Sequence, residues 1–163
     1  MLLLSRNIGS FSFLWASTVK ARNPHFQAAV AAIFHSAPFV NDLGISLGEV
    51  AVGRVESQLA LAPRHLQHDG FVHAAVQTAI ADHTAGAAAY SVIEAEQLAL
   101  TMTLTINLLR PAQGRALHCV ALVLRAGRRA IVVESEVSCL GDGASTLVAK
   151  ATVTLAVLTR HET

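Results

Sequence analysis

Apolar residues along this chain switch between two spacings, and the switches mark out its elements. Asn23 and Pro24 read as an N-cap and first-turn proline. Phe26, Val30, Ile33 and Phe34 then share one helical face, which predicts a short first helix ending at Pro38. From Ile45 the period shortens to two, and "SLGEVAVG" and "RVESQLALA" flank Gly53 as the arms of a predicted hairpin. A helical stretch follows from about His73 to Tyr90. In "QLALTMTLTINLL", Leu98, Leu100, Met102, Leu104 and Ile106 alternate with Ala99, Thr101, Thr103, Thr105 and Asn107, which predicts a strand with these two sets on opposite faces. "RPAQGR" reads as a turn. "ALHCVALVLR", "AIVVESEVSCL" and "STLVAKATVTLAVL" read as further strands, so the last four strands are expected to form an antiparallel meander.

Helix, hairpin, long helix and four strands make an α+β domain with a single sheet. That sheet must cover its apolar face, and the only long helix available is the alanine-rich one, whose small side chains allow a curved sheet to wrap closely. The domain is placed at residues 23–163, with residues 1–22 as an N-terminal extension; no internal repeat or linker interrupts it.

Composition narrows the functional classes. The chain has 163 residues, 53% hydrophobic and 14% charged, with a formal net charge of +1. It therefore lacks the electrostatic footprint of a nucleic-acid or acidic-membrane binder. So apolar a surface is expected to be partly covered by another subunit. No apolar run reaches the roughly 18 residues of a membrane span. Cys119 and Cys139 have no metal-type spacing and read as reduced strand residues. Residues 1–22 carry Arg6, Lys20 and Arg22, frequent serines and no acid. This composition fits a transit segment, and equally an upstream start or an ordered extension packing Phe11, Phe13 and Trp15 on the domain. A cytoplasmic location is expected, or a mitochondrial one if the segment directs transit.

The long helix carries one acid, Asp82. Ala75, Thr78, Ala79, Ala85, Gly86 and Ala89 lie within about 60° of it on the helical wheel, so the carboxylate sits on a face of small residues. An acid there is costly unless it is hydrogen-bonded, solvated or used. At the helix start, the first-turn amides of His73, Ala74 and Ala75 lack intrahelical partners and carry the positive end of the dipole, which suits an oxyanion. Asp82 lies about 13 Å along the helix from His73, so one substrate could use both features only if two subunits shared a site. His65, His68, His73 and His83 show no metal-binding pattern, and no serine or cysteine nucleophile motif occurs. No metal and no cofactor is expected.

"Gln67-x-x-Gly70-x-x-His73-Ala74-Ala75", followed by "Ala81-Asp82-x-x-x-Gly86", resembles the hot-dog-fold acyl-CoA thioesterases of the PaaI-like type, whose signature is an amide residue, G-x-x-H-G-G and L-A-D on a central helix. "INLLRPAQG" and "VLRAGRRAIVVESEV" are similar to that family's later strands, and the resemblance covers roughly residues 23–158. It implies a sheet wrapped around one helix and a homodimer or homotetramer with acyl-CoA sites at the dimer interface. Carried over, Asp82 is the general base or nucleophile and the Ala74 N–H polarises the thioester carbonyl. Gln67 orients the acyl group or water, His73 fixes the helix start, and Thr101 helps hold the attacking water. Gly70 and Ala75 frame the substrate, and Arg110, Arg125, Arg128 and Arg129, near turns, are candidates for the CoA phosphates. Alanines at 74 and 75 depart from H-G-G; a positive φ there would not tolerate them. Two other readings stay open: a non-catalytic acyl-CoA binding module of the same fold, and a hydratase or dehydratase using Asp69 and His73.

Overall fold

The computed structural model describes residues 19–141 and 143–160. Most of the N-terminal extension, with Phe11, Phe13 and Trp15, lies outside the described residues. Helix α1 (Phe26–His35) starts later than the Asn-Pro pair suggests. Asn23 Oδ1 accepts the His25 N–H at 2.9 Å, so the pair makes a turn ahead of the helix. Pro38 does more than end α1: it opens a second short helix, α2 (Pro38–Leu43), closed by Gly44 at φ 83°. The hairpin is β1 (Ile45–Ala51) and β2 (Arg54–Ala60), with Gly53 at φ 72° in its turn. The long helix is α3 (Ala74–Tyr90), followed by β3 (Gln97–Leu108), β4 (Ala116–Ala126), β5 (Ala130–Leu140) and β6 (Ser145–Thr159).

One antiparallel sheet takes up all six strands in the order β1-β2-β4-β5-β6-β3. The expected meander of four strands is therefore three: β4, β5 and β6 follow one another, but β3 sits beside β6 at the far edge and β4 beside β2. Helix α3 lies along the strands: its start is beside Leu108 and Ala112, Asp82 meets Thr101 of β3, Thr84 meets Ser57 of β2, and its C-cap Ser91 meets Gly53 ahead of β2. The sheet curves around it, so that α3 packs against β2 through β6, and β3 forms at the edge opposite the hairpin. The "RPAQGR" segment is then a return crossing rather than a hairpin turn. It passes the start of α3, where the Ala112 carbonyl accepts the Val72 N–H at 2.9 Å, and reaches β2's side, where the Arg115 carbonyl accepts that of Leu61.

The core lies between α3 and the sheet. Ile80, Ala81, Ala85 and Ala88 are fully buried against Leu117, Val133, Val153 and Leu155, while Val30 and Phe34 of α1 seal the side toward β1. Alanine where the helix meets the sheet lets the two backbones come close at little cost in side-chain entropy. A small polar layer crosses this core. Thr84 donates its hydroxyl to the Ile80 carbonyl at 2.6 Å, so the fully buried Ser57 must donate to Thr84 Oγ1. Ser135 donates to the Ala81 carbonyl. Thr84→Val leaves the Ser57 hydroxyl without its acceptor, and denaturant unfolding should show a loss of about 1–3 kcal/mol. Cys119 lies in the same layer. Burial pushes its thiol up to about 12, against hydrogen bonds with Thr84 and Ser135 that lower it, so the group stays protonated at neutral pH.

Candidate active site

The loop before α3 sets the helix start. His65, fully buried, accepts the Ala62 N–H at Nδ1, so its Nε2–H donates to the Leu43 carbonyl at 2.9 Å. Its own carbonyl accepts the His73 N–H. Gly70, at φ 83°, makes the turn that returns the chain so that Leu66 and Val72 bridge. His73 is then the N-cap, and its Nδ1 accepts the Ala75 N–H at 3.0 Å. The His73 carbonyl takes the Val76 and Gln77 N–H groups. The Ala74 N–H is left without an acceptor among the described residues. No residue other than glycine has positive φ there, so alanine at positions 74 and 75 fits the backbone without strain.

Asp82 is half-buried eight residues further on, and Thr101 donates its hydroxyl to Asp82 Oδ1 at 2.9 Å. A β-bulge makes this contact. Regular alternation puts Thr101 on the same face as Thr103 and Thr105, opposite Leu104 and Ile106. The register between β3 and β6 shifts between Thr101 and Thr103. Ala99 is buried and Thr101 reaches α3, while Leu104 and Ile106 still pack on the core; Leu100 and Met102 are exposed. The single alternating face expected from sequence is thus broken at Met102, and the extra residue re-aims the strand at the acid.

The residues singled out from sequence fall into three groups. Gln67, Ala74 and Arg110 line one cleft of about 440 Å³ at the start of α3. Asp82, Thr101 and Ala75 line a second of about 500 Å³ between α3 and β3, with Thr78, Ala79 and Leu104. Arg125, Arg128 and Arg129 line a third, at the β4–β5 turn. That turn lies at the end of the sheet where α3 finishes, so within one chain these arginines cannot join Arg110. Gln67 is folded onto its own loop, its Oε1 accepting the Asp69 N–H, and Arg110 donates to the Leu147 carbonyl at 2.9 Å. Gly70 serves the turn and lines neither of the first two clefts.

The histidines do not converge. His65 is a core clip, His68 pairs with Asp69 at 3.2 Å, and His73 caps the helix. His83 lies against the Phe34 ring, centroids 4.3 Å apart, with Nε2–H donating to the Phe34 carbonyl. Burial lowers its pKa, against that carbonyl and Asp82, which raise it. Among the described residues no three His, Cys, Asp or Glu side chains are grouped to hold a metal ion. Of the hydratase pair, His73 accepts the Ala75 amide at Nδ1 and Asp69 pairs with His68. Sequence reasoning missed Phe39 of α2, which is 65% exposed and lines the Asp82 cleft, and the buried amide of Gln77, whose Oε1 has no partner among the described residues. Helix α2 is too short for periodicity to mark Phe39; the signal for Gln77 is an amide within an alanine-rich helix.

The model of the thioesterase superfamily matches residues 69–146. A thioesterase family protein from Silicibacter pomeroyi is 30% identical over 83% of this chain and 99% of its own, with a TM-score of 0.81. A conserved protein from Pseudomonas aeruginosa is 32% identical over 75% of this chain and 94% of its own, with a TM-score of 0.69. The E. coli PaaI protein of the phenylacetic acid degradation operon, at 19% identity over 82% of this chain and 93% of its own, shares the fold with a TM-score of 0.73. No curated protein sequence matches the chain. No helix among the described residues is long and apolar enough to cross a membrane. The chain, a helix wrapped by a six-stranded antiparallel sheet, belongs to the hot-dog-fold thioesterase superfamily of thioester hydrolases.

Proposed function

We propose that this protein hydrolyses acyl-CoA thioesters at sites shared between two copies of the chain. The observation that supports this best is Asp82 itself, a carboxylate held by Thr101 and facing an open cleft floored by small residues. Water bound beside Thr101 loses its proton to Asp82 as its oxygen attacks the thioester carbon. The Ala74 N–H meets the resulting oxyanion, the C–S bond breaks, and Asp82 returns the proton to the CoA sulfur. In the alternative course Asp82 attacks directly, and water then opens the mixed anhydride. Gln67 orients the acyl group or the water, and His73, Gly70 and Ala75 hold the oxyanion site in shape. Arg110, Arg125, Arg128 and Arg129 meet the CoA phosphates, from opposite ends of two chains.

The spacing argues for two copies. Ala74 and Asp82 are eight residues apart on one straight helix, about 12 Å. A single thioester cannot touch both. Among the described residues strand β3 is an open edge of 12 residues, with Leu100, Met102 and Leu108, and Leu109 just past its end, about half exposed. Two such edges side by side and antiparallel satisfy their backbone groups and carry the start of one α3 toward the Asp82 of the other. Free-thiol release from medium-chain and aromatic acyl-CoAs, run with size-exclusion chromatography, tests the proposal. The expected result is turnover by a particle of two or four chains. Binding without thiol release across the panel would make the protein a non-catalytic acyl-CoA module.

A further inference from the structure

Asp82 and Thr101 stand on a divide. On the side toward the start of α3 lies the cleft of Ala75 and Ala79; on the other side a second cleft, about 270 Å³, runs along α3 past Gly86 and Ala87 to Tyr90. Its walls are Ile33 of α1, His83 of α3, Ala99 and Leu100 of β3 and Leu155 of β6, and among the described residues no lysine or arginine lines it. A CoA headgroup carries several phosphate charges and cannot enter a recess that offers no lysine or arginine and an aspartate at its mouth. The part of a thioester that fits is the acyl group. Ile33 and Tyr90 also line a separate cleft of about 200 Å³ beyond, so these two side chains are the partition between the recesses.

Gly86 gives an independent sign. Glycine inside a helix is unfavourable, and it is normally kept where a side chain would clash. A Cβ built at Gly86 meets nothing within 4 Å. Packing within the chain therefore does not demand the glycine, which lies one turn beyond Asp82 on the same face and lines this recess. Its missing side chain keeps the recess open next to the carboxylate.

Building on the thioesterase reading, we propose that the recess from Gly86 to Tyr90 is the acyl pocket. Tyr90 and Ile33 form its end wall, and they limit the substrate to a short chain or a single ring. The test is kcat/KM over acetyl-, hexanoyl-, decanoyl- and palmitoyl-CoA for the wild type, Gly86→Ala and Tyr90→Ala. Binding of non-hydrolysable ketone analogues of the same lengths and the elution volume of each protein are read alongside. The wild type should favour hexanoyl over palmitoyl by about tenfold or more. Tyr90→Ala joins the two clefts and should erase most of that preference. Gly86→Ala should raise Tm by about 2–4 °C yet lower hexanoyl relative to acetyl by about tenfold. Unchanged length profiles in both variants would overturn the proposal, as would dissociation of Gly86→Ala into smaller particles, which would make the glycine a helix-contact residue. A wild type that releases no thiol but binds the analogues with the same length limit would refute hydrolysis and keep the pocket. Analogues bound equally at every length would refute the pocket itself.

Discussion

Asp82→Asn should lose about a thousandfold in kcat, within the range set by general acid–base catalysis, while Tm stays within a few degrees of the wild type. The amide has the same shape as the carboxylate, and its Oδ1 can still accept the Thr101 hydroxyl that now reaches Asp82 at 2.9 Å. What it lacks is the ability to take a proton from water or to attack a thioester carbon. Thiol release under saturating substrate reads the effect directly, and circular dichroism checks the fold. Turnover within tenfold of the wild type would remove Asp82 from the chemistry and leave it as a half-buried helix aspartate satisfied by Thr101.

Ala74→Pro addresses the oxyanion donor, and the local geometry makes it an unusually clean change. Ala74 is the first residue of α3, the position where proline is best tolerated, because its fixed φ suits a helix start. The preceding residue, His73, already has φ −60° and ψ 140°, the extended conformation that proline requires before it. The N–H that proline removes has no acceptor among the described residues, so folding loses no hydrogen bond. The expected outcome is a stability near that of the wild type with kcat reduced about 100- to 1,000-fold, the cost of deleting one oxyanion donor. An enzyme as active as the parent would place the thioester carbonyl elsewhere.

Together the two variants also test the shared site. In a mixed dimer of Asp82→Asn and Ala74→Pro chains, one site receives an intact aspartate and an intact amide, and the other receives neither. Mixing two inactive proteins under conditions of subunit exchange should therefore restore a measurable fraction of turnover. No recovery despite demonstrated exchange would mean that each site is built within one chain.

The element content was legible in the sequence because it rests on local physics. The alternation in β4, β5 and β6 and the turn at Gly53 follow from side-chain period and glycine conformation, and the structure has them where they were read. The place of β3 was not legible. Adjacency in sequence suggests adjacency in the sheet, but β3 follows α3 and pairs with β6 at the edge opposite the hairpin. The Met102 bulge was hidden for a related reason. A strict alternation of apolar and polar residues fits an unbroken strand, and only pairing with β6 shows where the register slips. Helix α2 is too short for periodicity to register, so Phe39 escaped notice.

By itself the sequence determined that one long helix of small residues would carry one carboxylate, beginning at an amide-rich turn, under a sheet made of the remaining strands. Those features depend on residue type and spacing along the chain. Only the tertiary structure decided that Thr101 reaches Asp82, that Gln67 and Ala74 share a cleft separate from it, and that a recess runs from Gly86 to a wall of Tyr90 and Ile33. Each of these joins residues from different elements, and the distance between elements is set by how α3 packs against the sheet, which no local pattern encodes.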